Sequence, residues 1–183
     1  QSVMAGTPFE SMFAKTGIDP SSVEGAADSP YLKAIPNHRV QLQDYRAPVP
    51  VLWWRSVGHS HTAFAMECMV DELARAAGID PVEYRRRLLA DRPRLRGVLD
   101  VAASKAGWGT PLPAGRARGV AVHESFGSFV AQVAEVSVEG GRIRVHRVVC
   151  AIDCGIAVNP KTVEAQMESG IAFGLGAALS SAI

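Results

Sequence analysis

Apolar positions along the chain change their period once. Between Thr62 and Ala77, Phe64, Cys68, Met69, Leu73 and Ala77 recur by three- and four-residue steps, and Met66 and Val70 widen the same stripe. This spacing predicts an amphipathic helix with that face inward, closed by Gly78 in a C-terminal cap position. Asp80-Pro81 then reads as an N-cap followed by a first-turn proline, opening a second helix to about Ala90 with Tyr84 over Leu88. A third helix is expected from Gly97 to Ala106, ending at Gly107. Ahead of these, Val49–Arg55 reads as a short buried strand broken by Ser56-Val57-Gly58. Beyond the Pro111–Gly115 linker the period becomes two. Strands are predicted over Gly119–Glu124 and Phe129–Val138, with Glu139-Gly140-Gly141 as a hairpin turn. Arg142–Ile152 returns, placing Ile143, Val145 and Val149 near one face and Arg142, Arg144 and His146 on the other. Asp153-Cys154-Gly155 ends the sheet, and Asn159-Pro160 opens a last helix to about Leu179.

Residues 1–50 carry no comparable pattern. Gly6-Thr7-Pro8, Asp19-Pro20, Gly25, Pro30, Pro36 and Pro48 punctuate them, and only Arg39–Asp44 alternates weakly, as a short strand would. A long ordered loop leaning on a larger protein is the expectation. The whole reads as α+β: a helical segment, then a β-hairpin or meander, then a long C-terminal helix. Three stretches follow from this, residues 1–50, 51–110 and 116–183.

Composition adds exclusions. The 183 residues are 48% hydrophobic and 20% charged, with net charge +1. That is ordinary globular composition and gives no electrostatic reason to bind nucleic acid or an acidic membrane. No apolar run reaches transmembrane length. Cys68, Cys150 and Cys154 form no disulfide framework, and a lone C-x3-C pair completes no zinc or iron–sulfur set. The chain starts at Gln1 without an initiator Met and stops in an apolar run at Ile183, so it is expected to be a piece of a longer chain.

Several groups invite a chemical reading. His59-Ser60-His61 with Glu67 has the ingredients of a zinc site, but the spacing matches no metal motif, and helix-capping or loop-tying histidines are favoured. Ser125-Phe126-Gly127-Ser128 lacks the Gly-x-Ser-x-Gly pattern of a nucleophile elbow. Arg85-Arg86-Arg87, Arg92, Arg94 and Arg96 have phosphate-binding chemistry, but on a short amphipathic helix they read as a solvated face. Gly170, Gly174 and Ala178, with Gly176 beside them, predict close approach of another backbone or a flat ligand. Asn159-Pro160 marks a helix N-terminus, where free N–H groups favour anions, and Gln166 lies about two turns on. Gln166 can serve a pterin or amide-bearing ligand, or tie down the neighbouring loop; the residues alone leave both open.

Two ordered segments carry a resemblance. The first is Trp54-Arg55-Ser56-Val57-Gly58-His59-Ser60-His61, followed by Glu67, Asp71-Glu72-Leu73 and Gly78-Ile79-Asp80-Pro81. The second runs from His123-Glu124-Ser125-Phe126-Gly127-Ser128 through Val133-Ala134-Glu135-Val136 and Val145-His146-Arg147 to Asp153-Cys154-Gly155, Asn159-Pro160, Gln166 and Gly170. In this order they resemble the molybdopterin-binding large subunits of the xanthine dehydrogenase and aldehyde oxidase superfamily. The likeness is greatest to the isoquinoline 1-oxidoreductase beta-subunit type, where Trp-Arg-Ser-Val-Gly is usual. Residues 51–110 then correspond to the arginine loop and helical part of the molybdopterin-binding region, 116–183 to part of the second lobe, and 1–50, more loosely, to the connecting segment.

The resemblance implies a molybdenum hydroxylase that oxidises N-heteroaromatics or aldehydes with water as the oxygen source. It implies a molybdopterin cofactor in its cytosine dinucleotide form, 2Fe–2S clusters on a small partner subunit, and a cytochrome as a frequent electron acceptor. It places Arg55 and Gln166 against the cofactor. Val57 matches a pocket position that is aromatic in xanthine dehydrogenases, so a purine clamp is not expected. Asp153 and Asn159 match the turn that shapes the last helix start. The Gly-Gly-Gly-Phe-Gly loop and the Gly-Val-Gly-Glu segment with the general base do not occur in these 183 residues. No residue is therefore assigned as catalytic or as a metal ligand, and the chain alone is expected to be inactive. The alternatives are a non-catalytic binding or structural module derived from the same lobe and, behind it, a zinc hydrolase using His59 and His61. Periplasmic export is favoured over a cytoplasmic location by the resemblance only.

Overall fold

A computed structural model describes residues 6–8, 10–11, 19–43, 48 and 54–180. The chain forms two compact units, Gln1–Leu89 and Ala90–Ile183. Most of the strand expected over Val49–Arg55 lies outside the described residues; Trp54 is exposed and Arg55 lies in a turn. Arg39–Gln43 form no strand, and Asp44 lies outside the description.

Among its described residues the first unit has two short 3-10 turns, Pro20–Ser22 and Pro30–Lys33, and the α-helices α1 (His59–Ala77) and α2 (Pro81–Leu88). Side chains start each 3-10 turn: Asp19 Oδ1 accepts the Ser21 N–H at 2.9 Å, and Ser29 Oγ accepts the Tyr31 N–H at 3.4 Å. α1 ends as its glycine predicts, with Gly78 left-handed at φ 65 and the Ile79 N–H reaching back to the Ala74 carbonyl at 3.0 Å. Asp80 caps α2 through the N–H groups of Val82 and Glu83 at 2.9 and 3.0 Å.

The period of α1 is helical as expected, but the inward face is only partly the predicted stripe: Val70 is buried and Met66 half-buried, and the face is shifted towards polar residues. Thr62, Glu67, Val70 and Ala74 are buried, whereas Phe64 is 72% and Met69 53% exposed, and Cys68 and Ala77 are also exposed. The reason is pairing. Buried polar groups are tolerated where partners satisfy them, and Arg85 from α2 supplies the main one. Arg85 is itself fully buried, so the solvated face expected of the arginine cluster fails at this residue. Arg86 and Arg87 behave as expected, forming exposed pairs with Glu83.

The second unit is a three-stranded antiparallel meander, order β1-β2-β3, of β1 (Arg116–Ser125), β2 (Ser128–Glu139) and β3 (Arg142–Asp153). Helix α3 (Pro93–Ala106) covers one face, and α4 (Pro160–Leu179) follows the sheet. The fold is α+β. α3 starts four residues earlier than predicted, because Pro93 fits the first helical turn and brings Leu95 into the core. Leu95, Val98, Leu99, Ala102, Ala103 and Ala106 are buried on α3, and Val120, Val122, Ala131, Val133 and Ala151 on the sheet. Both hairpins close on two residues of positive φ, Phe126-Gly127 and Gly140-Gly141.

A register shift between Glu135 and Val136 breaks the expected phase of β3. Glu135 pairs with Arg147 and Val136 with Val145, so His146 is the extra residue. Val149, opposite buried Val133, stays on the α3 side. Val145 and Ile143 pair with Val136 and Val138 and move to the other side, leaving Ile143 exposed. The single face expected for Ile143, Val145 and Val149 is therefore split by one inserted residue.

No residue of α4 is buried. A Cβ built on Gly170, Gly174 or Gly176 would meet nothing within 4 Å, so the close approach expected along these glycines is not made by the described residues.

Candidate functional site

In the first unit the site-bearing segment is the turn from Trp54 to Gly58 that leads into α1. The Val57 N–H donates to the Trp54 carbonyl at 3.0 Å. Ser56 and Val57 both have positive φ, 73 and 50. Neither is glycine, and Val57 is β-branched, so each holds a conformation that costs roughly 1–3 kcal/mol and persists only where surroundings enforce it. Arg55 is exposed on this turn and Val57 is half-buried.

The surroundings come from two directions. From α1, the Ser60 hydroxyl donates to the Arg55 carbonyl at 2.6 Å. From the connecting segment, a Glu24 Oε1 accepts the Gly58 N–H at 2.8 Å, and the Glu24 carbonyl accepts the Thr62 hydroxyl at 2.7 Å. His61 Nε2 lies 3.1 Å from the Ser22 carbonyl. This is the loop-tying role favoured for that histidine. Among the described residues no group of three or more metal-ligating side chains is assembled.

Beneath the turn, α1 and the connecting segment meet at a buried cluster. The Tyr31 hydroxyl donates to Glu67 Oε1 at 2.7 Å, Arg85 Nε to Glu67 Oε2 at 2.9 Å, and Arg85 Nη1 to Asp71 Oδ1 at 2.5 Å. Arg85 also reaches the carbonyls of Glu67 at 3.0 Å and Pro81 at 3.2 Å. Burial, with the Glu67 carboxylate beside it, holds the Tyr31 phenol far above its ordinary range, so it stays a donor. Burial opposes the charge on Arg85, but Glu67 and Asp71 outweigh it and raise the guanidinium further. The cluster is structural, and sequence reasoning does not find it. The available signal is a carboxylate at Glu67 flanked by Met66 and Cys68.

In the second unit Gln166 is exposed on α4, about two turns from its start. The helix start is already capped: Asn159 Oδ1 accepts the N–H groups of Lys161 and Thr162 at 3.0 and 3.3 Å. That occupies donors an anion would otherwise use. Asp153 accepts the Gly155 N–H at 2.9 Å and a bidentate fork from Arg94 at 2.7 and 2.6 Å. Arg94 hydrogen bonding, with the Gly155 N–H, lowers the Asp153 carboxyl to about 2. Arg94 also lies 4.2 Å over the Phe129 ring. An open groove of about 530 Å³ between α3 and β3 includes Arg94, Val98, Val101, Ala151 and Asp153 in its lining, and neither Gln166 nor the turn is part of it.

Ser137 carries no nucleophile either. Its hydroxyl donates to Glu139 Oε1 at 2.9 Å and lies 2.8 Å from His146 Nε2. With its one proton committed to the carboxylate, Ser137 accepts from the imidazole, the reverse of the order that activates a serine. The Phe126-Gly127 hairpin likewise rules out an elbow at Ser125 and Ser128. Arg55 and Val57 thus share one turn in the first unit, and Gln166 stands in the second.

Comparison with known proteins assigns these features a context. A model of the molybdopterin cofactor-binding domain matches residues 63–183, about two thirds of the chain, and a second model of the same description matches residues 20–89. The chain is 35% identical over 150 residues to the isoquinoline 1-oxidoreductase beta subunit of Brevundimonas diminuta, covering 79% of this chain and 19% of that one. It is 36% identical over 155 residues to a nicotinate dehydrogenase subunit of Pseudomonas putida, covering 73% and 13%. It is 28% identical over 148 residues to the membrane-bound aldehyde dehydrogenase (pyrroloquinoline-quinone) of Gluconacetobacter polyoxogenes, covering 69% and 19%. The chain thus spans a fifth or less of the length of these relatives. No solved structure matches.

Proposed function

We propose, because the chain belongs to the molybdopterin cofactor-binding domain family, that it forms part of the cofactor cradle in the large subunit of a molybdenum hydroxylase. The observation that carries this reading is the Arg55 turn. An exposed guanidinium sits on backbone held in left-handed conformations at two non-glycine residues by partners within the chain. A donor preset in this way loses little further freedom on binding.

The donor set suits the group. Arg55 offers several N–H donors in a rigid fork, which matches phosphate and pterin oxygens, and the Gln166 amide both donates and accepts, which matches a pterin edge. Val57 stands in this reading at the substrate side of the pocket, its small side chain leaving room where a ring would clamp a purine. When bound, the molybdenum group supplies two-electron redox chemistry that no side chain provides. This chain's residues bind and orient it. The glutamate that would serve as general base is not among them, so the 183 residues alone are inactive in this reading.

The relatives' names support a substrate class of N-heteroaromatics, isoquinoline and nicotinate being two, with aldehydes beside them. We extend the proposal to a cytosine dinucleotide form of the cofactor, a small 2Fe–2S partner subunit, a cytochrome acceptor and a periplasmic location. The exposed Phe64 and Met69 of α1 and the absence of buried residues on α4 support a role as one part of a larger subunit.

The test is elemental analysis of the full-length protein purified from cells that make the cofactor. Wild type should carry molybdenum near one per chain. Arg55→Ala should lower it about tenfold, the size of a lost charge-assisted bond, with poor rescue by Arg55→Lys. A wild-type protein with a quinone in place of molybdenum would overturn the reading. Stoichiometric molybdenum and heterocycle hydroxylation by the isolated 183-residue chain would overturn its inactivity.

A further inference from the structure

We propose that Glu24 is a positioning residue for the Arg55 turn, setting the backbone that presents Arg55 to the cofactor; the cofactor part of this inference rests on the function proposed above. Glu24 is the residue of the connecting segment that grips both sides of the turn's exit. Its carboxylate holds the Gly58 N–H at 2.8 Å and its carbonyl holds the Thr62 hydroxyl at 2.7 Å. Thr62 passes the constraint on, since its hydroxyl also lies 3.0 Å from the Gly58 carbonyl. The approach is close: a Cβ on Gly58 would collide with the Ser21 carbonyl oxygen and crowd the Glu24 side chain. Glycine is required here by proximity to the connecting segment, not by its own φ of −65.

The segment that carries Glu24 is anchored in turn. Asp19 ties the first 3-10 turn through the Ser21 N–H at 2.9 Å and the Ser21 hydroxyl at 2.6 Å. Asp28 accepts the Gly25 N–H at 2.5 Å. Tyr31, 2% exposed, locks the second turn onto Glu67, which Arg85 holds in place. A continuous set of bonds therefore runs from the buried Arg85–Glu67–Tyr31 cluster through residues 19–31 to Gly58. The positive φ of Ser56 and Val57 lies immediately before that last bond. Backbone in this region needs enforcement from outside the turn; Ser60 of α1 supplies it before the strained pair, at the Arg55 carbonyl, and Glu24 directly after it, at the Gly58 N–H.

Hydrogen–deuterium exchange on the full-length protein tests this, comparing peptides over residues 54–62 with peptides over 66–77. Glu24→Ala should speed exchange in the first set about tenfold, the effect of losing a charge-assisted bond, and leave the second unchanged. Glu24→Gln keeps an oxygen that accepts the Gly58 N–H without the charge and should recover most of the protection. Molybdenum content should fall with Glu24→Ala and recover with Glu24→Gln. Gly58→Ala, which forces the turn off the Ser21 carbonyl, should speed exchange in the same peptides. The proposal is overturned by unchanged turn exchange in Glu24→Ala or Gly58→Ala, by failure of Glu24→Gln to rescue, or by equal loss of protection in both peptide sets. It is also overturned if the turn loosens while molybdenum content holds. A wild-type protein without molybdenum would sink the cofactor reading alone, because the exchange data still decide whether Glu24 sets the turn.

Discussion

In the unit up to Leu89 the buried side chains mix Val70, Ala74, Val82 and Leu89 with Arg85, Glu67, Thr62 and Tyr31, whereas in the unit from Ala90 onward the core is Leu95, Leu99, Val120, Val122, Ala131 and Val133. Both units pack helices, but the first sets a paired charged cluster inside its apolar core. The second follows the ordinary rule: α3 turns its apolar stripe to a sheet whose alternate residues are apolar, and small alanines let the helix settle close. The first keeps Phe64 and Met69 of α1 outside and turns a carboxylate inward. An apolar core tolerates variation in shape, while a polar cluster holds only when every member is paired. The unit with the polar cluster is also the one that carries the strained Arg55 turn.

The sharpest way to break this comparison is to remove one member of the cluster. Glu67→Ala leaves Arg85, 0% exposed, with the partly exposed Asp71 as its one remaining counter-charge among the described residues and takes the acceptor from the Tyr31 hydroxyl. Losing one partner of a buried pair costs about 3–5 kcal/mol, so the urea midpoint should fall steeply. Replacing both partners, Glu67→Leu with Arg85→Met, should recover part of the loss because no charge is left stranded. A single variant that costs no more than an exposed ion pair, or a double variant worse than the sum of the singles, would show that the cluster is not the core of this unit.

The counterpart in the second unit is Leu99→Ala. Leu99 is fully buried between α3 and the sheet. The cavity should cost about 2–5 kcal/mol, read from the same urea transition. Leu99→Met should cost less than about 1.5 kcal/mol, because volume and polarity are kept. If Leu99→Met were as damaging as Glu67→Ala, the distinction between a tolerant apolar core and an exacting polar one would fail.

These two cores also explain what could be read from the sequence. Among the described residues, three of the helices α1–α4, strands β1–β3 and the Gly140-Gly141 hairpin turn are legible within a few residues, since Gly78, Asp80-Pro81, Gly107, Gly140-Gly141 and Asn159-Pro160 are local punctuation acting through backbone chemistry; the start of α3 and the Phe126-Gly127 turn are not. Of the inward face of α1 only the Val70 side is legible. Hydrophobic periodicity assumes the apolar side goes in, and here Arg85, 18 positions from Glu67, decides otherwise. The phase of β3 is lost for a similar reason: one extra residue at His146 leaves no mark in composition. Of the candidate site, Arg55, Val57 and Gln166 are named from motif context, and all three lie among the described residues. Glu24 is out of reach, because its partner Gly58 lies 34 residues away and nothing in the local sequence links them.

The last way to sharpen the comparison uses the same chemical pair in the opposite environment. Asp153 receives a two-pronged fork from Arg94, as Glu67 receives Arg85 at its carboxylate and its carbonyl, yet both Arg94 and Asp153 face solvent, at 46% and 35% exposed. The Arg94 bonds, with the Gly155 N–H, lower the Asp153 carboxyl from 3.8 to about 2. A depressed folded value means that the stabilisation is complete above the unfolded value of 3.8 and fades as pH falls through about 2. A carboxyl-carbon NMR titration should place the Asp153 midpoint near 2, and Arg94→Ala should move it back towards 3.8. The stability change should be much smaller than for Glu67→Ala, because water screens an exposed pair and solvates whichever partner is left. Were Arg94→Ala to cost as much as Glu67→Ala, pairing itself would matter more than burial. The contrast between the units would then have to be traced to the number of bonds each arginine makes.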